Sequence, residues 1–379
     1  MYLISLFGKL LNLLIRSLGL GSGETLPGYL LLRFFPKALK NSTLLSGGSV
    51  IIVSGTNGKT STVKAISHIL RKREFSVISN SSGANLKSGV TSSLLLGKPL
   101  NPYKKIDFVV LEVDELALPS VLDDVSADTL VLLNLSRDQL DRYGEVDFIV
   151  ERWAEIINLG RVSTVIYDGE ADYFSGIFAE GASGFVDFNR YHRDAVSSKL
   201  KDRIHEKNLM AVIAALSEKG IDPAESLNLL EDFKAAYGRG EVVYKDGVSY
   251  RIFLAKNPAS MNVNLTFPGL GKADFEKVLF ILNDGIPDGR DVSWIYDIES
   301  NLLNKFCAGK KVYISGSRCY DMAVRLDYAG VSVTKQDIDS SITDTVDKIK
   351  SEGSKNVVVL PNYSAMLDFR KNVLGRKIL

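Results

Sequence analysis

One segment near the start of the chain limits its fold more than any other. Val50-Ile-Ile-Val53 is a short β-branched run, Ser54-Gly-Thr-Asn-Gly-Lys-Thr-Ser61 is a turn with two glycines, and a helical pattern runs from Thr60 to about Arg73. A buried strand that feeds a helix through so short a turn belongs to a βαβ unit, whose helix covers one face of a parallel sheet. The turn also carries chemistry. Backbone N–H groups at a helix N-terminus stabilise polyphosphate, Lys59 brings a charge to the β and γ oxygens, and the Thr60 hydroxyl is a ligand for Mg²⁺. Gly55, Thr56, Asn57, Gly58, Lys59, Thr60 and Ser61 are therefore the expected nucleotide-binding residues. The general pattern G-x-x-x-x-G-K-[ST] has a glycine where this chain has Val53.

Apolar, β-branched runs at 75–78, 108–113, 129–134 and 164–167 alternate with helical patterns, which predicts a mostly parallel sheet buried on both faces. Two of these strands end in polar groups. Leu111-Glu-Val-Asp-Glu115 makes Glu112 the expected metal ligand, while Asp114 and Glu115 read as solvated acids after the strand. The 129–134 run ends at Asn134, an expected nucleotide-binding residue, in a dense polar cluster that reaches Gly144. A poorly periodic stretch, 168–203, carries one strand near 185–188 and precedes a helix at 205–219. Further strands at 248–255, 277–282, 311–315 and 356–360 form a second α/β domain. The expected organisation is a helical lead-in at 1–45, a nucleotide-binding domain at 46–240 and a C-terminal domain at 241–379.

Charge and cysteine usage exclude several classes. Lys+Arg 46 against Asp+Glu 45 leaves a net charge of +1, so no global basic field for nucleic acid exists. Cys307 and Cys319 lack C-x-x-C spacing, so no zinc site is expected and a cytoplasmic location follows. The apolar start is broken by Lys9 and Arg16, and fits neither a signal peptide nor a spanning helix. Leu3, Leu6, Phe7, Leu10, Leu13, Leu14 and Leu18 recur at helical spacing, and this face is expected to pack on the protein, with peripheral contact at the inner face of a membrane as the other option. His68, His192 and His205 read as structural, and Met261, Met322 and Met366 as core.

The residues resemble the Mur ligases, ATP-dependent amide-forming enzymes whose phosphate loop reads G-T-N-G-K-T, and within them the MurT family. The likeness spans nearly the whole chain. It rests on Leu26-Pro-Gly28, Asn80-Ser-Ser-Gly-Ala-Asn85, Glu112-Val-Asp-Glu115, Arg137-Asp-Gln-Leu-Asp-Arg-Tyr-Gly-Glu145, Lys256-Asn-Pro258, Asn283-Asp-Gly-Ile-Pro-Asp-Gly-Arg-Asp-Val-Ser-Trp294, Ser315-Gly-Ser-Arg318 and Leu360-Pro-Asn-Tyr-Ser-Ala-Met366. The resemblance implies a Mur-ligase-like central P-loop ATPase domain followed by a Rossmann-like C-terminal domain. It implies ATP and Mg²⁺ as cofactors, a GatD-like glutamine amidotransferase as partner, and lipid II as substrate. The reaction implied is amidation of the D-glutamate α-carboxylate through an acyl phosphate. Arg239 and Asn208 would contact the nucleotide, and Asp291, ahead of Asp288 and Asp297, would act in amidation beside the partner.

This chain departs from the family in three places. It lacks the four-cysteine zinc ribbon, reads Tyr167-Asp-Gly-Glu-Ala-Asp172 where the family has Asn-Ala-Asp-Asp-Pro, and has no lysine within 143–198 for the carbamate of muramyl ligases. Two alternatives stay open: an amino-acid ligase of folylpolyglutamate-synthase type, and a nucleotide-binding scaffold that steadies a partner.

Overall fold

The structure is a computed structural model that describes residues 2–17, 25–40, 47–80, 84–99, 101, 103–135, 146–174, 184–192, 194, 200, 203–234, 238–267, 275–285, 288, 290–353 and 355–375. The 137–145 motif, Leu18 and much of the 168–203 stretch lie outside them. The chain divides into two compact units, the first reaching Phe233 and the second taking Lys234 onward.

In the first unit β1 (Ser49–Ser54) lies between β3 (Phe108–Glu112) and β4 (Ala127–Leu132), and β2 (Val77–Ser79), β5 (Val162–Tyr167) and β6 (Phe185–Asp187) complete a six-stranded sheet. The order is β2-β3-β1-β4-β5-β6, with every neighbouring pair parallel. Strand order reverses at β1, the place where open α/β sheets leave a crevice at their carboxyl ends. Helices α3 (Lys59–Lys72), α4 (Lys87–Gly97), α5 (Leu118–Leu122), α6 (Val146–Asn158), α7 (Glu206–Ser217) and α8 (Pro223–Leu229) surround it. Because a parallel sheet is covered on both faces, its strands need no alternation: Ile51, Ile52, Val53, Val109, Val110 and Leu111 are all fully buried. α7 is buried from Leu209 to Leu216 and shares one core with α3.

The lead-in holds α1 (Tyr2–Ser17) and α2 (Leu26–Phe34). α1 reverses the packing expected of it. Ser5 Oγ donates to the Leu95 carbonyl at 2.8 Å, Lys9 Nζ to the Lys98 carbonyl at 2.6 Å, and Ile15 is buried, whereas Leu6, Leu10, Leu13 and Leu14 face outward. The small and polar side of this helix, not its leucine side, meets α4.

The second unit has the order β11-β10-β9-β12-β8-β7, built from β7 (Arg239–Lys245), β8 (Val248–Phe253), β9 (Lys277–Ile281), β10 (Lys311–Ser315), β11 (Ile338–Asp339) and β12 (Asn356–Pro361). Helices α9 (Pro258–Leu265), α10 (Ser300–Cys307), α11 (Cys319–Tyr328), α12 (Ile342–Ser351) and α13 (Tyr363–Asn372) connect them. Neighbouring strands are parallel except β7, which pairs antiparallel with β8. β7 is not among the strands expected from the sequence: its apolar run, Val242-Val-Tyr244, is only three residues long, and as an edge strand it leaves Val242 59% and Tyr244 71% exposed. Asp246-Gly247, with φ of 50° and 80°, is the hairpin turn that marks it. Met261, Met322 and Met366 are core residues.

Candidate active site

The carboxyl ends of β1, β3 and β4 bring the expected phosphate loop and its neighbours to one rim. The loop leaves β1 with Gly55 at φ 133° and reaches α3 with Gly58 at φ 90°, conformations that only glycine adopts without strain. Asn134, two residues past β4, holds the loop by three bonds. Thr56 N–H donates to its carbonyl at 2.7 Å, Asn57 N–H to its Oδ1 at 2.9 Å, and its Nδ2 donates to the Asn57 carbonyl at 2.9 Å. Asn208, at the start of α7, lies against Gly58, so that a methyl group there would meet its Nδ2 at 2.7 Å. Thr60 is half-buried at the first turn of α3, and Ser61 is buried.

Lys59 is turned inward. Its Nζ donates to the Gly55 carbonyl, to the Thr56 carbonyl at 3.2 Å and to Glu115 Oε2 at 2.8 Å, with the lysine side chain 6% and the glutamate 3% exposed. Burial alone would lower the lysine's affinity for its proton. Glu115 first, then Glu112 and Asp114, outweigh that and hold the ammonium above its ordinary value. The reading of Glu115 as a solvated acid is thus overturned. After β3 the chain turns, with Leu116 N–H donating to Asp114 Oδ1 at 3.1 Å, and Trp153 Nε1 donates to the Glu115 carbonyl at 3.0 Å. These contacts return Glu115 beneath the loop, and the buried Trp153 comes from α6, far along the chain.

Glu112 is buried at the end of β3, level with Val53 of β1. Asn80 clamps its backbone, accepting from Glu112 N–H at 2.6 Å and donating to its carbonyl at 2.7 Å. Among the described residues no group of three or more His, Cys, Asp or Glu could hold a metal ion. Mg²⁺ carried on a nucleotide takes one or two protein oxygens and completes its shell with phosphate and water. Thr60 at the first turn of α3 and Glu112 at the end of β3 are two oxygen-bearing side chains of this rim.

Beside the rim, the departing 167–172 stretch has its own network. Buried Asp168 accepts from Lys207 Nζ at 2.7 Å and from Asn189 Nδ2 at 2.9 Å, and Tyr173 Oη accepts from Leu135 N–H at 2.9 Å. No local pattern marks these residues, since three separate elements supply them. His205 precedes α7, and burial depresses its proton affinity.

The other expected residues belong to the second unit. Arg239 opens β7, where it pairs with Phe253. Asp288 caps α13, accepting from Tyr363 N–H at 2.8 Å and Ser364 N–H at 2.9 Å. Asp291 is exposed and accepts from Ser293 N–H at 2.8 Å, a bond that holds its carboxyl below the usual range. Asp297 is exposed at the end of the 3₁₀ turn Ser293–Asp297. Nearby, Asn283 and Asn362 lock the ends of β9 and β12 together: Asn283 N–H donates to Asn362 Oδ1 at 3.1 Å and Asn362 Nδ2 to the Asn283 carbonyl at 2.6 Å. Both cysteines are buried, and burial pushes the Cys307 thiol up to about 12, which removes it as a nucleophile.

Comparison with known proteins gives concordant likenesses. Residues 53–226 match the Mur ligase middle domain and residues 254–366 the MurT ligase C-terminal domain. The MurT subunit of lipid II isoglutaminyl synthase (glutamine-hydrolyzing) from Staphylococcus aureus (strain COL) is 28% identical, over 84% of this chain and 85% of its own. The corresponding subunit from Streptococcus pneumoniae (strain ATCC BAA-255 / R6) is 24% identical, over 95% of this chain and 94% of its own. Among solved structures, the MurF ligase from Thermotoga maritima in complex with ADP superposes with a TM-score of 0.60 at 16% identity, over 90% of this chain and 81% of its own, a likeness of fold.

Proposed function

Because this chain is homologous along most of its length to the MurT subunit of lipid II isoglutaminyl synthase, with the Mur ligase middle domain and the MurT C-terminal domain in order, we propose that it is the ligase subunit of such a synthase in peptidoglycan synthesis. The observation that carries the chemistry is Lys59, buried at the phosphate loop and flanked by Glu112 and Glu115 at the sheet's reversal point.

The proposed reaction has two steps. An oxygen of the D-glutamate α-carboxylate in the lipid II stem peptide attacks the γ-phosphorus of ATP, and the bond to the ADP oxygen breaks. Ammonia, released from glutamine by a GatD-like amidotransferase partner, then attacks the acyl carbon, phosphate leaves with the bonding pair, and the nitrogen sheds a proton. Little covalent work falls to the protein in the first step, which needs position and positive charge. The loop N–H groups cradle the phosphates, Asn134 keeps the loop in shape, and Lys59 balances charge on the transferred group. Thr60 and Glu112 would hold Mg²⁺, which when bound neutralises phosphate charge. Asn208 and Arg239 are assigned to nucleotide contacts, and Asp291 to orienting ammonia or the partner's histidine.

The test is co-expression with the candidate amidotransferase, followed by mass spectrometry of lipid II after incubation with ATP, Mg²⁺ and glutamine. The expected product is the amide, formed only when both chains are present and lost in Lys59→Ala. Amide formation that survives Lys59→Ala refutes the mechanism. ATP turnover with an added amino acid but not with ammonia would instead favour an amino-acid ligase.

A further inference from the structure

The lead-in helices present apolar surface outward in a way that the nucleotide site does not explain. On α1, Leu6, Leu10, Leu13 and Leu14 lie within one helical stripe and are 41%, 54%, 66% and 55% exposed. The opposite side of α1 is the one that bonds to α4 through Ser5 and Lys9. A soluble helix docked on its own domain has the reverse arrangement, so this stripe has a use away from that domain. A second stretch has the same character independently. The end of α2 and the residues after it, Arg33-Phe-Phe-Pro-Lys37, are exposed throughout, with Phe34 72% and Phe35 58% accessible. Charge identifies the occupant. Lys9 is bonded to α4 and Lys40 pairs with Asp124, but the exposed 33–37 stretch presents Arg33 and Lys37 with no acid, in a lead-in whose 40 residues hold the single acid Glu24, whereas the whole chain is nearly balanced at +1. Leucines and phenylalanines bordered by lysine and arginine suit the boundary of an anionic lipid layer, where the apolar groups enter the acyl region and the cations meet headgroup phosphates.

We infer that α1 and the 33–37 stretch dock this protein on an anionic membrane surface, with the helix lying in the plane of the interface. No helix among the described residues is long and apolar enough to cross a membrane, so the attachment is peripheral and reversible. The choice of a lipid layer rests in part on the lipid-linked substrate proposed above, since docking would concentrate the protein where such a substrate lies.

The experiment is co-sedimentation of the full chain with vesicles of phosphatidylcholine and phosphatidylglycerol that contain no lipid-linked peptide, so its outcome does not depend on which acid is amidated. The wild-type chain should bind these vesicles, and binding should weaken as salt rises. Leu10→Ser/Leu13→Ser should reduce partitioning by at least about ten-fold, and Arg33→Gln/Lys37→Gln should reduce it on anionic but not on neutral vesicles. All these side chains are exposed, and an unchanged melting temperature and nucleotide affinity would show that the variants fold. The inference is overturned if the wild-type chain stays in the supernatant, or if the leucine variant binds as well as the wild type. It is equally overturned if light scattering finds a dimer that the leucine variant converts to monomer, because the stripe would then join two copies of the chain.

Discussion

Glu115→Gln tests whether the buried pair under the phosphate loop matters as the geometry implies. The carboxylate and the Lys59 ammonium are 2.8 Å apart with side chains 3% and 6% exposed, so neither charge has water to fall back on. Removing one member of such a pair leaves an uncompensated buried charge and costs roughly 3–5 kcal/mol. Here Lys59 keeps the Gly55 and Thr56 carbonyls, and a glutamine oxygen can still accept, so the expected loss is about 2–3 kcal/mol. For a unit of this size that is a fall of about 5–10 °C in the melting temperature of the first unit, measured without nucleotide. Lys59→Met/Glu115→Gln removes both charges, and should be more stable than Glu115→Gln alone, with a coupling of about 2 kcal/mol. Alkaline titration supplies the sign. The folded Lys59 binds its proton more tightly than the ordinary value of 10.5, so its contribution is complete below 10.5 and disappears as pH rises through the folded value. In Glu115→Gln that alkaline loss should shrink. Single-variant effects that simply add, to within about 0.5 kcal/mol, would refute the reasoning.

Other substitutions separate roles that lie close together. Gly58→Ala places a methyl at φ 90° against the buried Asn208 amide, and should cost about 1–2 kcal/mol of backbone strain together with a measurable loss of nucleotide affinity by calorimetry. Asp288→Ala should destabilise the second unit by about 1 kcal/mol in urea titration through loss of the α13 cap. Asp291→Asn should leave melting within about 0.5 kcal/mol while reducing partner-dependent amide formation, and equal loss of amide formation from both variants would remove the distinction. Lys277, Tyr313 and Lys311 hold the Glu352 carboxyl at about 2 against an ordinary 4.5. Its contribution is therefore present above 4.5 and is lost as pH falls towards 2, and Glu352→Gln should flatten the acid limb of the stability curve over that interval.

Local pattern was enough for the parallel architecture, for the phosphate loop and for most strands. Continuous runs such as Val50–Val53 and Val357–Leu360 are buried on both faces, and that condition is written in the residues themselves. The loop was legible for the same reason: Gly55, Gly58 and Lys59 are neighbours, and their conformation and chemistry depend on a few adjacent backbone angles. The edge strand β7 was missed because half of it faces solvent, although Asp246-Gly247 marked the turn.

Contacts between distant segments were decided only by the fold. The pairing of Lys59 with Glu115 spans 56 residues, and the staple of Asn57 on Asn134 spans 77. Whether an acid after a strand meets water or a buried ammonium depends on which element covers it, and α6 supplies that cover through Trp153. Asp288 and Asp291 look alike in sequence, yet one caps a helix 75 residues away while the other stays exposed. Periodicity revealed that α1 has an apolar side, but a helix pattern holds no record of its neighbours. That the leucines point away from α4 follows from packing, because burial is a property of the whole surface around a residue and not of its spacing along the chain.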